Sequence, residues 1–337
     1  MEFEAIEGKY ILPRLICVPL AICGVHLLNY QNLGSHPLTN ALLTAFTAYF
    51  MFCWTSCFHE CAHHTLTSAR WISVWFGRMI GTVMLVPYTV YRESHIRHHA
   101  FLNKPTDWEL WPYADPSCSP AFRRFFVWLD LVLGSVAAPF IYARIYFHPK
   151  SPIRDLAIRR AIRNEFLFIG IFWGAVFTYV TWYGHWPAFT RSWLVPWFIA
   201  GVLQTGRKLT EHLGMTSYDP LLGTRTVIGS SWLTRFGTFV NFDIFIHGLH
   251  HRHPRVAHNQ LRNKMWTYIS TNPTTKYPVY HSYWTATRAM LPFLLNPGTG
   301  VNAGADVPHA SKYDDVQDFV TDVSSEILSE SDIGRIG

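Results

Sequence analysis

Apolar residues in this chain come in long blocks rather than in the i, i+3, i+4 stripes of a half-buried helix. Four blocks stand out, at residues 11–30, 38–58, 164–183 and 192–205. A bilayer-crossing helix needs about 20 mostly apolar residues. The first three blocks reach that length, and the fourth does so if it tilts or runs on toward Leu209. The turn-rich links QNLGSHP and GHWPAFTR join the blocks two by two, so the pattern predicts two helical hairpins. Two more apolar stretches carry charge inside them: 71–91 with Arg78 and Pro87, and 122–147 with Arg123, Arg124, Asp130 and Arg144. Each is expected to be a helix lying partly in the membrane interface. The fold class that follows is all-α integral membrane, with four transmembrane helices in two hairpins, interfacial helices and a cytoplasmic cap.

Composition agrees. Of 337 residues, 49% are hydrophobic, 16% aromatic and only 15% charged, against about 25% charged in ordinary soluble domains. The loop between the first two blocks has no Lys or Arg, and the loop between the last two has only Arg191. Residues 148–163 carry Lys150, Arg154, Arg159, Arg160 and Arg163. By the positive-inside rule that basic side is cytoplasmic, and two hairpins put both termini there too. From Asp306 onward there are eight acidic residues against Lys312 and Arg335, so the tail is −6 and the rest of the chain +12. The chain therefore divides into a membrane unit, 1–305, and an acidic tail, 306–337. In the tail, Val316, Phe319, Val320, Val323 and Ile327 recur at helical spacing, as in a short helix docked on the basic surface. No Lys/Arg run resembles a nucleic-acid arm. The acidic start MEFEAIEGKY lacks the basic region of a cleaved signal peptide. Cys17, Cys23, Cys53, Cys57, Cys61 and Cys118 form no CxxC pair and read as small packing residues.

Candidate chemistry sits at the ends of these blocks. HECAHH at 59–64 places His59 and His63 four residues apart, with His64 adjacent. HIRHH presents His95, His98 and His99 at i, i+3, i+4, and HGLHH presents His247, His250 and His251 at the same spacing. Such triplets aim imidazoles at one region. Imidazole is the commonest nitrogen ligand for metals, and a single zinc takes only three or four ligands. Eight or nine histidines oversupply one metal and suit two. Nitrogen-rich sites take Fe, Cu, Zn or Ni, so spacing does not choose among them. His212, just past the fourth block, is a further candidate ligand, with a helix cap as the bland reading. Asp243, four residues before His247, is a candidate acceptor for that ring's other nitrogen, or else a solvated charge. His26, His36, His148, His185, His258, His281 and His309 stand alone and read as structural or surface groups, as does His253 on balance.

With those motifs in view, the chain resembles the membrane fatty acid desaturase–hydroxylase superfamily. Its hallmark is three histidine boxes around four spans. HECAHH, HIRHHAFLNKPTD and HGLHHRHP are similar to the first, second and third boxes, and the likeness runs from about Phe50 to Arg255. The resemblance implies two iron ions, O2 as co-substrate and attack on an aliphatic C–H bond of a fatty acyl or other long-chain lipid. It carries the ligand roles to His59, His63 or His64, His95, His98, His99, His247, His250 and His251, and to His212 as the extra histidine before the third box. Where family members can place a water-bridging Asn, this chain has Lys208.

Within that superfamily the box forms favour a desaturase. The alternatives are a fatty acid or alkane hydroxylase, a terminal-alkene-forming decarboxylase and a carotenoid ketolase. With no fused haem motif or cysteine cluster, the resemblance implies a separate electron donor, a ferredoxin or a cytochrome with its reductase. From a different class comes a non-enzymatic membrane metal-binding or transport protein. Transporters place polar ligands mid-span, whereas these clusters lie at span ends.

Overall fold

A computed structural model describes residues 36–67 and 69–306, together with Gly24. The expected span at 11–30 and all of the acidic tail beyond Asp306 lie outside the described residues. Those described are mostly helical, with one parallel pair of two-residue strands, β1 (Thr226–Val227) and β2 (Val279–Tyr280).

Helix α1 (Pro37–Ala62) opens with Pro at its first position, where the missing N–H costs nothing. Its second half, from Thr47 onward, is largely buried. Helix α6 (Leu156–Trp182) is started by Asp155, whose carboxylate accepts the Ile158 N–H at 2.8 Å. These two helices are the described ones long and apolar enough to cross a membrane. At 1.5 Å per residue each is roughly 40 Å long. Burial separates them: α1 is packed inside, whereas α6 turns Leu167, Phe168 and Ile171 outward. An outward apolar face on a long helix suits hydrocarbon rather than water. The expected fourth span is also helical. Short α7 (Trp186–Phe189) runs through a π-turn at Thr190–Leu194 into α8 (Val195–His212), so the helical path is longer than the apolar block. Four spans remain an expectation, because α8 falls short on hydropathy and the first block is outside the described residues.

Both expected interfacial helices are pairs. Residues 71–91 break into α2 (Arg70–Met84) and α3 (Tyr88–Ala100). The break falls at Leu85, in the left-handed region at φ 61°, with the Val86 N–H returning to Gly81 O at 2.9 Å. Pro87 then disfavours helical geometry for the residue before it. Residues 122–147 break into α4 (Pro120–Val132) and α5 (Gly134–Phe147). At that second break the chain runs against α8: a Cβ on Gly134 would sit 2.6 Å from Gly201 O, and one on Gly201 2.5 Å from Ser135 N. Among the described residues, the four remaining α-helices are α9 (Trp232–Val240), α10 (His247–Arg252), α11 (His258–Thr271) and α12 (Tyr283–Met290).

The main core cluster gathers Phe58, Tyr91, Tyr113, Ile145, Ile162 and Leu209 from α1, α3, α5, α6, α8 and the loop after α3. Glu165 on α6 fixes the start of α3, accepting from Thr89 N at 2.8 Å, Thr89 Oγ1 at 2.7 Å and Arg78 Nε at 3.0 Å. That anchorage sets how far α3 carries its histidines inward.

Candidate metal centre

The three boxes converge. His59 and His63 come from the end of α1, His95, His98 and His99 from α3, His212 from the end of α8, and His247, His250 and His251 from α10. All nine are buried. They sort into two groups. Ligand atoms of His59, His63, His95, His99 and His250 all lie within 4.8 Å of one another, and so do those of His98, His212 and His251. His247 belongs with the second group, its Nε2 being 2.9 Å from that of His212 and 3.0 Å from that of His251.

Each HH doublet is divided between the groups: His99 and His250 go to the first, His98 and His251 to the second. Successive residues of an α-helix are rotated about 100° apart (3.6 per turn), so adjacent rings cannot point the same way. The doublets therefore straddle the two groups, and the His99 and His251 rings stack at 4.1 Å between centroids. The same logic separates His63 from His64. Helix α1 ends at Ala62, and His64 takes a left-handed φ of 54°, which turns its buried ring out of both groups.

Four rings have their Nδ1 committed. His59 Nδ1 pairs with Glu60 Oε1 at 3.1 Å, His95 Nδ1 with Glu109 at 3.1 Å and His98 Nδ1 with Asp107 Oδ2 at 2.8 Å. His247 Nδ1 faces the Ile244 carbonyl at 3.2 Å. An oxygen acceptor at Nδ1 holds the proton there and leaves Nε2 as a lone pair. Those nitrogens face further rings. The Nε2 atoms of His59 and His63 are buried without any hydrogen-bond partner, and Nε2 of His99 sits 3.1 Å from that of His95 and 3.2 Å from that of His250. A neutral ring carries one N–H, so nitrogens that converge in this way cannot all be satisfied by one another, whereas a cation satisfies them all. The donor set thus fits metal ions. Burial, then the neighbouring rings, push His99 and His251 well below the usual histidine range, and burial does the same for His250, so these imidazoles stay neutral and ready to donate. His98 goes the other way: burial lowers it, but the Asp107 carboxylate outweighs that and raises it.

The trailing residues of the second box brace this arrangement. Asn103 donates to Ser217 O and Gly223 O, each at 2.9 Å, and Asp107 also accepts from the Asn103 and Leu110 N–H groups at 3.3 Å. The third box is seated by Gly248, whose N–H donates to Thr226 Oγ1 at 3.0 Å, where a Cβ would crowd both Thr224 and Thr226. Asp243 does not back His247. It pairs instead with His258 at 2.9 Å, because the Ile244 carbonyl already fills the Nδ1 side of His247. Lys208 donates to Asp130 at 2.6 Å. His36, His148, His185, His253, His258 and His281 lie outside both groups. Glu60, Glu109 and Glu211 are missing from the candidates named in the sequence. The first stands inside HECAHH and the last inside TEH, but nothing in their spacing marks them.

Two cavities meet beside the rings. The larger is lined by His59, His95, His98, His212 and His247 together with Arg207 and Glu211. The other is lined mostly by apolar groups, including Trp54, Met84 and Trp197. They share Thr55, Met84, Val86, Ala138 and Gln204 as walls. A mostly apolar cavity therefore lies next to the one at the ring cluster.

Comparison with known proteins gives the family. The fatty acid desaturase family profile matches residues 35–284, which include every ring named above. The chain belongs to the fatty acid desaturase family. Its buried histidine clusters are compatible with metal binding. It is 25% identical to an sn-1 oleoyl-lipid 12-desaturase from Synechocystis sp. over 42% of this chain and 41% of that protein. It is 26% identical to fatty acid conjugase FAC2 B from Calendula officinalis over 58% of each. To an sn-1 acyl-lipid omega-3 desaturase (ferredoxin) from Synechocystis sp. it is 24% identical over 72% of each. The matched stretch thus spans about half the length of the first two relatives.

Proposed function

We propose that this desaturase-family member is an O2-dependent di-iron enzyme that introduces a double bond into a fatty acyl chain. His59, His63, His95, His99 and His250 would hold one iron, and His98, His212, His247 and His251 the other. The observation carrying this reading is that two groups of converging imidazole nitrogens line a cavity whose walls are shared with a mostly apolar one. Bound iron supplies the reduction of O2: one O2, two electrons, two protons and two hydrogens from neighbouring carbons give two waters and one C=C bond. The chain's own part is positional. Trp54, Met84, Val86 and Ala138 lead an acyl chain inward, while Phe58, Tyr91 and Ile141 close the inner end against water. Asp107 and Glu109 hold the ring protons at Nδ1. The electrons come from a separate ferredoxin or a cytochrome with its reductase, in keeping with the ferredoxin named for one relative. The protein sits in a multi-pass membrane arrangement with its boxes on the cytoplasmic side. In support, α1 and α8 both end at the rings, so they cross in one direction and α6 returns between them.

The test is lipid and volatile-product profiling of cells expressing the chain against a His98→Ala control, with metal analysis of purified protein. New double bonds and about two irons per chain are expected; mass separates a double bond from an added hydroxyl or a terminal alkene. Identical profiles in the two cultures, or zinc as the sole metal, would refute the reading.

A further inference from the structure

Four carboxylates surround the rings: Glu60, Asp107 and Glu211 are buried and Glu109 is partly buried. Three of them accept from a ring Nδ1, on the side turned away from the facing nitrogens. Glu211 is placed differently. Its Oε2 lies 3.6 Å from Nε2 of His247, whose Nδ1 side is already taken by Ile244 O. One oxygen of Glu211 and one nitrogen each of His212 and His247 lie within 4.8 Å of one another.

We propose that Glu211 is a direct ligand of the second metal ion, which gives that centre a carboxylate oxygen beside its imidazole nitrogens. The assignment rests on the two-centre reading above and goes beyond it, since nothing in the boxes names this residue. Glu211 is 4% exposed, and its Oε1 has no hydrogen-bond partner. Arg207 does not supply one: its Nε is 3.9 Å from Glu211 Oε2, beyond hydrogen-bond length, and its Nη1 donates to Ser56. A buried carboxylate oxygen left without a donor is expensive, and a cation at the His212–His247 nitrogens removes that cost. The reverse holds as well. Divalent ions bound by neutral imidazoles alone bring uncompensated charge into the interior, and a carboxylate in the ligand sphere offsets it. The two centres then differ, five nitrogens at one and a nitrogen–oxygen set at the other. Mixed nitrogen–carboxylate donation is a set that non-haem iron takes.

The experiment uses the full chain, purified in detergent, stripped by chelation and titrated with Co(II), with cobalt per chain and visible absorption as readouts. Wild type is expected to take two ions. Glu211→Gln should keep the first with unchanged affinity, bind the second at least tenfold more weakly and lose part of the cobalt absorption change that accompanies it. Glu211→Asp, which keeps the carboxylate on a shorter stem, should keep two ions with a smaller loss and guards against a folding defect in the Gln variant. Two ions bound by Glu211→Gln with wild-type affinity and spectrum would overturn this assignment while leaving the histidine centres standing. Wild type binding no ion would overturn the centres themselves, and with them the ligand.

Discussion

Asp107 offers the sharpest check on how the protein holds its rings. Its side chain is fully buried, Oδ2 accepts His98 Nδ1–H at 2.8 Å and the Asn103 N–H at 3.3 Å, and Oδ1 accepts the Leu110 N–H at 3.3 Å. Asp107→Asn keeps the shape but replaces one acceptor oxygen with a donor. The remaining oxygen should stay with His98, the shortest of the contacts, and leave Leu110 N–H facing an amide. Stranding that donor costs stability of about 1–3 kcal/mol. His98 meanwhile trades a charge-assisted bond for a neutral one, a loss of about 1–1.5 kcal/mol, or roughly tenfold in affinity for the second ion. Asp107→Ala removes the acceptor outright and should approach the roughly 100-fold loss seen when the partner of a metal-bound histidine is deleted. Chelator competition on iron-loaded protein, with metal counted per chain, reads both variants. Retention of both ions within threefold of wild type in Asp107→Ala would show that His98 does not depend on this carboxylate.

Three further outcomes are expected. His63→Ala should lose the ion of the five-ring group, so that metal content falls from two per chain to one, whereas His64→Ala should keep both; the reverse result would contradict the role of the left-handed turn at His64. Ala138→Phe fills the wall shared by the two cavities, so turnover of long acyl chains should fall at least tenfold with metal content unchanged; unaltered turnover would place the substrate elsewhere. Gly201→Val drives a side chain into Ser135 and should cost about 1–3 kcal/mol, read as a lower melting temperature in detergent, with Ser135→Gly recovering part of it.

Much of this protein was legible in its residue order, and the limits are physical. Long apolar blocks announced α1 and α6 because hydrocarbon demands length and apolarity together. The breaks at Leu85 and Leu133 were not legible, since a left-handed cap at a leucine and a close approach to Gly201 depend on neighbours distant in the chain. Asp243 shows the same limit: spacing put it near His247, but a backbone carbonyl took the place first.

The sequence by itself determined which imidazoles are available and that they come in helical clusters, because i, i+3 and i+4 positions share a helix face whatever the rest of the chain does. Only the tertiary structure decided how those rings divide into two groups, why His63 and not His64 takes part, and that Glu211 faces the same space. Such partnerships depend on where α1, α3, α8 and α10 meet, and that meeting is set by packing between residues far apart in the chain.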